Sequence, residues 1–361
     1  MIITRLYIQN FRNINLLNIR PASGFNIVYG INGSGKTSFL EALSYLSLGR
    51  SFRGASYHHL ISATAQGFVL SCDVYDERRE HLDTLGVSRT RSRSEDLQIS
   101  INSCRGSRLI DLVDHICVQI VHPDGISLVL GSPELRRGFL DWGVFYSRPE
   151  FHSLWLKYRK VLSQRNYILR SGMNLDSLHV WDTLLAGLSE EITRLRAAYL
   201  EDLRSVLAEK ISAFLPGFKL SFELAKGWDK NADLRSVLSL NLEKDRNLGY
   251  TYYGCHRADL KIRTSKASAS DTLSRGQLKL LVCAMRLSQA FLLQQQTGRS
   301  CIFLIDDLNS ELDSNSRNIL LTELLKSSNQ VFITNITKDI NLPDRDNCFC
   351  LDIIKYTGSS V

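Results

Sequence analysis

The stretch Gly30-Ile31-Asn32-Gly33-Ser34-Gly35-Lys36-Thr37 constrains this chain more than any other. It matches G-x-x-x-x-G-K-[ST] and follows a short apolar run, Phe25–Tyr29. The segment it opens carries Phe39, Leu40, Leu43 and Leu46 at helical spacing. A strand that turns through glycines into a helix can aim its backbone N–H groups at phosphate oxygens, and the helix N-terminus adds a positive end. The loop therefore needs a strand before it and a helix behind it, which points to an α/β fold. Gly30, Asn32, Gly33, Ser34, Gly35, Lys36, Thr37 and Ser38 are its candidate nucleotide contacts. Lys36 would neutralise the β- and γ-phosphates and so share in catalysis, while the Thr37 hydroxyl would hold Mg²⁺.

A nucleotide held this way needs a carboxylate beside its magnesium. The apolar run Cys301–Ile305 ends in Asp306 and Asp307, and ligands of an open parallel sheet bind at the C-terminal ends of its strands. Asp306 is expected in the metal shell, and Asp307 is placed to polarise an attacking water. Two aspartates closing a strand are by themselves no more than the start of a turn. Set beside the lysine loop, they acquire a task.

A second anion pocket is written far downstream. In "DTLSRGQLKLL", Asp271–Leu281, residues Ser274 and Gly276 open a helix that begins near Gln277. They offer a hydroxyl, amides and a helix dipole. One chain has use for both pockets if two copies pair head to tail, each lysine loop presenting ATP to the serine loop of its neighbour. An ATP-dependent homodimer is the expectation.

Elsewhere the pattern changes twice. The first third reads as strands ("FVLSCDVY", "LQISIN", "CVQIV") around one helix, with a short helix near Arg108–Ile116. From Ser132 the period becomes helical: one long helical region to about Ser171, then another from Leu178 to Leu215, pairing as an antiparallel hairpin with Trp155 and Trp181 in its core. Some strand signal returns at "FKLSFEL" and "YTYYG". From Asp271 helix and strand alternate, the mark of parallel α/β. The predicted plan is a discontinuous α/β head from residues 1–122 and 271–361, interrupted by a helical arm over 123–270.

Composition narrows the class only a little. Of 361 residues 44% are apolar and 22% charged, as in a folded soluble protein, and no run is long and apolar enough to span a membrane. The N-terminal alternation "MIITRLYIQNF" reads as a strand and lacks a signal-peptide core. The eight cysteines include no CxxC pair, so buried, reduced thiols are expected, and the net charge of +7 favours a polyanionic partner weakly.

At this point the residues carry a resemblance. The lysine loop, "LSRGQ" (Leu273–Gln277), the acidic strand Ile302–Asp307 and "SELD" (Ser310–Asp313) together look like an ABC-type ATPase head. With "NFRN" after the first strand, "GRSFR" (Gly49–Arg53), "GSPELRRGFLDW" (Gly131–Trp142) and "HRADL" (His256–Leu260), the chain resembles the RecF family of bacterial replication and recombination-repair proteins along nearly its whole length. The resemblance implies an ATP-driven dimer on gapped or junction DNA, working with RecR- and RecO-like mediators to load RecA and support the SOS response. It also implies a cytoplasmic, nucleoid-associated location and a slow, DNA-stimulated ATPase used as a switch. Ser274, Gly276 and Gln277 would reach the partner's γ-phosphate, and Asp313 would cross the same interface.

Two residues depart from the wider ABC pattern. Asp307 stands where a glutamate is usual, which puts fast hydrolysis in doubt. Asn335 stands where many such heads carry a switch histidine, and Gln119 and His122 are both candidates to position water. The basic stretch Ser88–Arg93 reads either as a solvated turn between hairpin strands or as a phosphate contact on DNA. Arg53 is a further candidate for the γ-phosphate or DNA; Arg136 and Arg137 read either as nucleotide-dependent contacts or as surface pairs, and His256 and Arg257 as core-polar or interface residues. An ABC transporter subunit is the alternative, but the long arm and basic balance count against it. SMC or Rad50 heads need far longer coiled coils, and a metabolic P-loop kinase would leave the serine loop without a task.

Overall fold

The computed structural model describes residues 1–91, 97–172, 177–308, 312–327, 329–338, 340, 342 and 347–357. They form two compact units, Met1–Gly125 with Thr297–Val361, and Ile126–Gln296.

The first unit has two sheets. One is antiparallel, in spatial order Ile14–Ile19 (β2), Ile2–Phe11 (β1), Gly67–Asp76 (β4), His81–Thr90 (β5), Gln98–Ile101 (β6) and Cys104–Arg105 (β7). The other is wholly parallel: Cys348–Asp352 (β13), Phe25–Tyr29 (β3), Gln330–Asn335 (β12), Ile302–Ile305 (β11) and Val118–Val121 (β8). The strands β11 and β12 are buried at every position, as strands covered on both faces must be. Helix α1 (Lys36–Leu48) lies in the core between the sheets. Tyr45 packs edge-on against Phe68 of β4 at 5.3 Å, while Phe39 meets Phe332 of β12 at 5.9 Å. That double cover leaves the helix buried at every position from Ser38 to Ser47, polar residues included. Two further helices, α2 (Leu109–Val113) and one at Ser314–Lys326, complete the unit among the described residues.

The second unit is mainly helical. It holds α3 (Ser127–Leu130), α4 (Pro133–Ser147), α5 (Glu150–Ser171), α6 (Leu178–Phe214), α7 (Leu234–Leu240), α8 (Leu242–Leu248), α9 (Ala269–Thr272) and α10 (Arg275–Thr297), so the helix at Ser314–Lys326 is α11. An antiparallel pair, β9 (Leu220–Ala225) and β10 (Asp259–Thr264), is inserted among them. Helices α5 and α6 run antiparallel, with Arg165 meeting Asp182 and Arg196 lying 5.6 Å from the Trp155 ring. Trp181 packs with Ile168, Leu169 and Leu178. Gly143 of α4 has no room for a side chain, since a Cβ there would lie 1.9 Å from the Tyr199 ring of α6.

Several expectations need correction. The single helical region from Ser132 to Ser171 is two helices, because Pro149 supplies no N–H and Arg148 before it turns extended (φ −133°, ψ 97°). "YTYYG" forms no strand; its Thr251 amide and hydroxyl both bond the Asn166 side chain, which holds the segment irregular. Residues 271–296 group with the second unit and not with the sheets, because α10 is stitched to α4 and α6: Gln289 Nε2 donates to Phe139 O (2.7 Å) and Tyr199 Oη (3.3 Å). "SRTRSR" is not a loop at its start, since Ser88–Thr90 end strand β5; Ser92 and Arg93 lie outside the described residues. Cys104 and Cys350 are exposed and Cys348 half-buried, unlike the other five thiols. No described helix is long and apolar enough to cross a membrane.

Candidate nucleotide site

The lysine loop connects β3 to α1 as its spacing requires. Gly33 (φ 80°) and Gly35 (φ 99°) take the left-handed conformation that side chains disfavour. At Gly35 space is short as well, since a Cβ would come within 2.9 Å of the Asn13 side chain. Asn13 Nδ2 donates to Gly33 O (3.2 Å), and Gly30 N donates to Asn335 O (3.3 Å), so the loop is tied on two sides. Lys36, 9% exposed, folds back to donate to the carbonyls of Gly30 (2.7 Å) and Ile31 (3.0 Å). Burial lowers its pKa, against the pull of the Asp307 and Asp306 carboxylates. Ser34 and Ser38 are buried beside it and Asn32 is exposed.

The acidic residues arrive from β11. Thr37 Oγ1 donates to Asp306 Oδ2 at 3.0 Å, joining residues 269 positions apart in sequence. Thr334 Oγ1, at the end of β12, donates to Asp306 Oδ1 (2.7 Å) and accepts from Asp307 N (2.8 Å). Asp307 adopts φ 50°, a strained choice for a residue with a side chain. A hydroxyl and a carboxylate in direct contact form an oxygen-only donor pair, which suits a hard cation such as Mg²⁺ that keeps further positions for water and phosphate. Lys36, Thr37, Asp306 and Asp307 are thus brought together at the strand ends of the parallel sheet.

Sequence reasoning missed Thr334, which looks like an ordinary strand residue. It also missed Glu41. This carboxylate is fully buried on α1, where it receives Arg12 Nη2 (2.9 Å), Arg12 Nε and the Ser51 hydroxyl. Arg12 belongs to "NFRN" and Ser51 to "GRSFR", so an arginine near a lysine loop was the available signal. Arg53 itself is exposed, its amide bound to Ser51 Oγ at 3.0 Å. Of the two water-positioning candidates, Gln119 is buried within β8 beside Phe303, whereas the register Ile305–Val121 puts His122 level with Asp306.

The serine loop belongs to the second unit. Ser274 N donates to Gln277 Oε1 (2.9 Å) and Gln277 N to Ser274 Oγ (3.3 Å), a reciprocal box that caps α10, which starts at Arg275 and not near Gln277. A Cβ on Gly276 would meet nothing nearer than Ser274 Oγ at 4.0 Å, so this unit's own packing does not demand glycine there. Asp313 caps α11, accepting from Ser316 N (3.0 Å) and Oγ (2.7 Å), and these bonds lower its pKa. Ser310 and Glu311 of "SELD" lie outside the described residues.

Of the remaining basic candidates, Arg89, Arg91, Arg136, Arg137 and His256 are engaged internally, whereas Arg257 is exposed. Arg89 lies over the Tyr57 ring (4.6 Å), and Arg91 donates to the carbonyls of Ala65 and Ser62 (3.0 Å each). Arg136 grips Asp259 through two bonds (2.7 and 3.2 Å), and Arg137 donates to Ala258 O (2.8 Å). His256 accepts from Tyr158 Oη at Nδ1 (2.6 Å) and donates from Nε2 to Thr251 O (3.1 Å); burial pushes its pKa down to about 4.

A lysine loop and an acidic strand on a parallel sheet, sharing their unit with an antiparallel sheet, define an ABC-type ATPase head. Residues 2–348 match the RecF/RecN/SMC N terminal domain family. The DNA replication and repair protein RecF of Escherichia coli K12 is 39% identical over 349 residues, 96% of this chain and 97% of that one. The structure of the recombination mediator protein RecF with ATP in the RecFOR pathway covers 98% of this chain and 96% of its own, with TM-score 0.87 and 26% identity. An Smc head bound to the C-winged helix domain of ScpA shares the fold at TM-score 0.59 and 15% identity, covering 94% of this chain and 90% of its own. This chain belongs to the RecF family.

Proposed function

We propose that this chain is an ATP-switched DNA-binding protein of recombinational repair and replication-fork maintenance. In this reading the loop amides and Lys36 hold ATP, Thr37 and Asp306 hold Mg²⁺, and Asp307 polarises the attacking water. Ser274, Gly276, Gln277 and Asp313 complete the site of a second copy, so that nucleotide joins a homodimer. The dimer engages gapped or junction DNA in the cytoplasm, near the nucleoid, assists RecA loading with RecR- and RecO-like proteins, and supports the SOS response.

The contact between Thr37 and Asp306 carries the reading, because it assembles a magnesium-type oxygen pair beside a glycine-rich loop from distant parts of the chain. The named relatives, one of them bound to ATP, support the same conclusion. The open surroundings of Gly276 support an approach from outside its own unit. Hydrolysis is slow in this proposal, since Asp307 is one methylene shorter than glutamate and reaches less far toward a water. Sedimentation velocity tests it: a dimer is expected with Mg·ATP and a monomer with Mg·ADP. A monomer in both overturns the switch. Titration of gapped against blunt duplex with ATP at two salt concentrations is expected to favour the gap and to weaken steeply with salt.

A further inference from the structure

The second unit carries a surface for which the reading above has no use. Between Gly249 and Gly254 stand Tyr250, Tyr252 and Tyr253, with Tyr250 and Tyr252 each 38% exposed and Thr251 between them buried. Lys244 Nζ sits 3.4 Å above the Tyr252 ring and 5.3 Å from that of Tyr253. The Arg257 guanidinium lies 5.4 Å from the Tyr250 ring and 5.8 Å from that of Tyr252. Both cations are exposed, and neither has an ion-pair partner among the described residues. The neighbouring carboxylates are committed elsewhere, Glu243 to Arg246 (2.9 Å) and Asp245 to Arg165 (2.6 Å).

The segment is irregular yet fixed from below. Thr251 N and Oγ1 donate to Asn166 Oδ1 (2.8 and 2.7 Å), Arg165 Nη1 donates to Thr251 Oγ1 (2.8 Å), and Tyr252 N donates to Asp245 Oδ1 (2.9 Å). A buried arginine with two carboxylates thus anchors a stretch that has no strand or helix to hold it. The tyrosines are ordered before anything binds, so a ligand does not bear that ordering cost.

Alternating cations and aromatic faces match the chemistry of unstacked nucleic acid, with bases on the rings and phosphates on the cations. Duplex DNA keeps its base faces covered and an acidic peptide would leave the rings idle, so neither uses the whole patch. We infer that Tyr250, Tyr252, Lys244 and Arg257 form a platform for single-stranded DNA. A base arriving on Tyr252 replaces the Lys244 ammonium, which swings to the adjoining phosphate. The inference rests on the proposed DNA-binding role and assigns the single-stranded side of a gap to this surface.

Fluorescence anisotropy with the full chain, Mg·ATP, oligo(dT) and a blunt duplex tests it at two salt concentrations. Tyr250→Ala with Tyr252→Ala is expected to weaken oligo(dT) binding about tenfold or more. Duplex binding should hold within about twofold, and Tyr250→Phe with Tyr252→Phe should restore oligo(dT) binding. Lys244→Gln with Arg257→Gln should lower oligo(dT) affinity and reduce the slope of log affinity against log salt by about 1.4, the single-strand value for two lost phosphate contacts. Unchanged oligo(dT) binding by the alanine variant overturns the platform, as does an equal loss on duplex, or a loss confined to an acidic peptide probe. An unaltered chain that binds duplex but not oligo(dT) overturns the platform alone; one that binds neither removes the DNA-binding reading beneath it.

Discussion

Buried charge is used differently in the two units. Lys36 in the first unit is held by two backbone carbonyls and faces two aspartates that it does not touch closely enough to saturate. Arg165 in the second is fully buried and locked between Asp182 and Asp245 at 2.6 Å each. To meet another anion the first cation would give up two neutral carbonyls, whereas the second would have to give up two carboxylates. Identical physics yields a poised site in one place and scaffolding in the other, and what separates them is how fully the chain's own counter-charges meet the ion.

The contrast can be broken most forcefully at the scaffold. Arg165→Ala strands two carboxylates and is expected to cost about 3–5 kcal/mol in denaturant unfolding. Lys36→Met should leave stability intact or raise it, since burial already disfavours its charge, while abolishing ATP binding by calorimetry. Acid probes the scaffold next. The folded pKa of His256, about 4, lies below its ordinary value of 6.5. Protonation therefore favours the unfolded chain: stability is full above pH 6.5 and falls as pH drops through that value. The loss reaches ~3 kcal/mol near pH 4, and His256→Gln should remove that part of the pH dependence. Asp306→Ala at the poised site is expected to reduce Mg·ATP affinity about 10–100-fold, with ATP binding in EDTA little changed. Ser274→Ala is expected to cost folding only about 1 kcal/mol for a lost cap, yet it should suppress ATP-driven self-association in sedimentation. If Ser274→Ala dimerises normally, the serine loop is only a helix cap.

Features legible in the sequence were those whose chemistry is local. Gly33 and Gly35 take the left-handed turn at fixed offsets before Lys36 opens α1, and Asp306 follows an apolar strand, so pattern and position coincide. Ser274 and Gln277 likewise bond across three residues. Thr334 was hidden because its two bonds go to Asp306 and Asp307, which arrive from another strand. Strand β5 was hidden for a related reason: its inward position Asp83 is polar, and the strand face is completed by His115 and Asn102 from elsewhere. The irregular course at Thr251 follows from Asn166, 85 positions away. Tertiary partners decided each of these, and no window of neighbouring residues contains them.

Glu41 has a consequence of its own. One carboxylate inside α1 receives both the arginine of the turn after the first strand and the serine ahead of Arg53. Replacing it alone would deprive a half-buried guanidinium and a buried hydroxyl of their shared acceptor at one stroke. Positions 12, 41 and 51 can therefore drift only as a trio, and a designer who alters one has in practice chosen to rebuild all three.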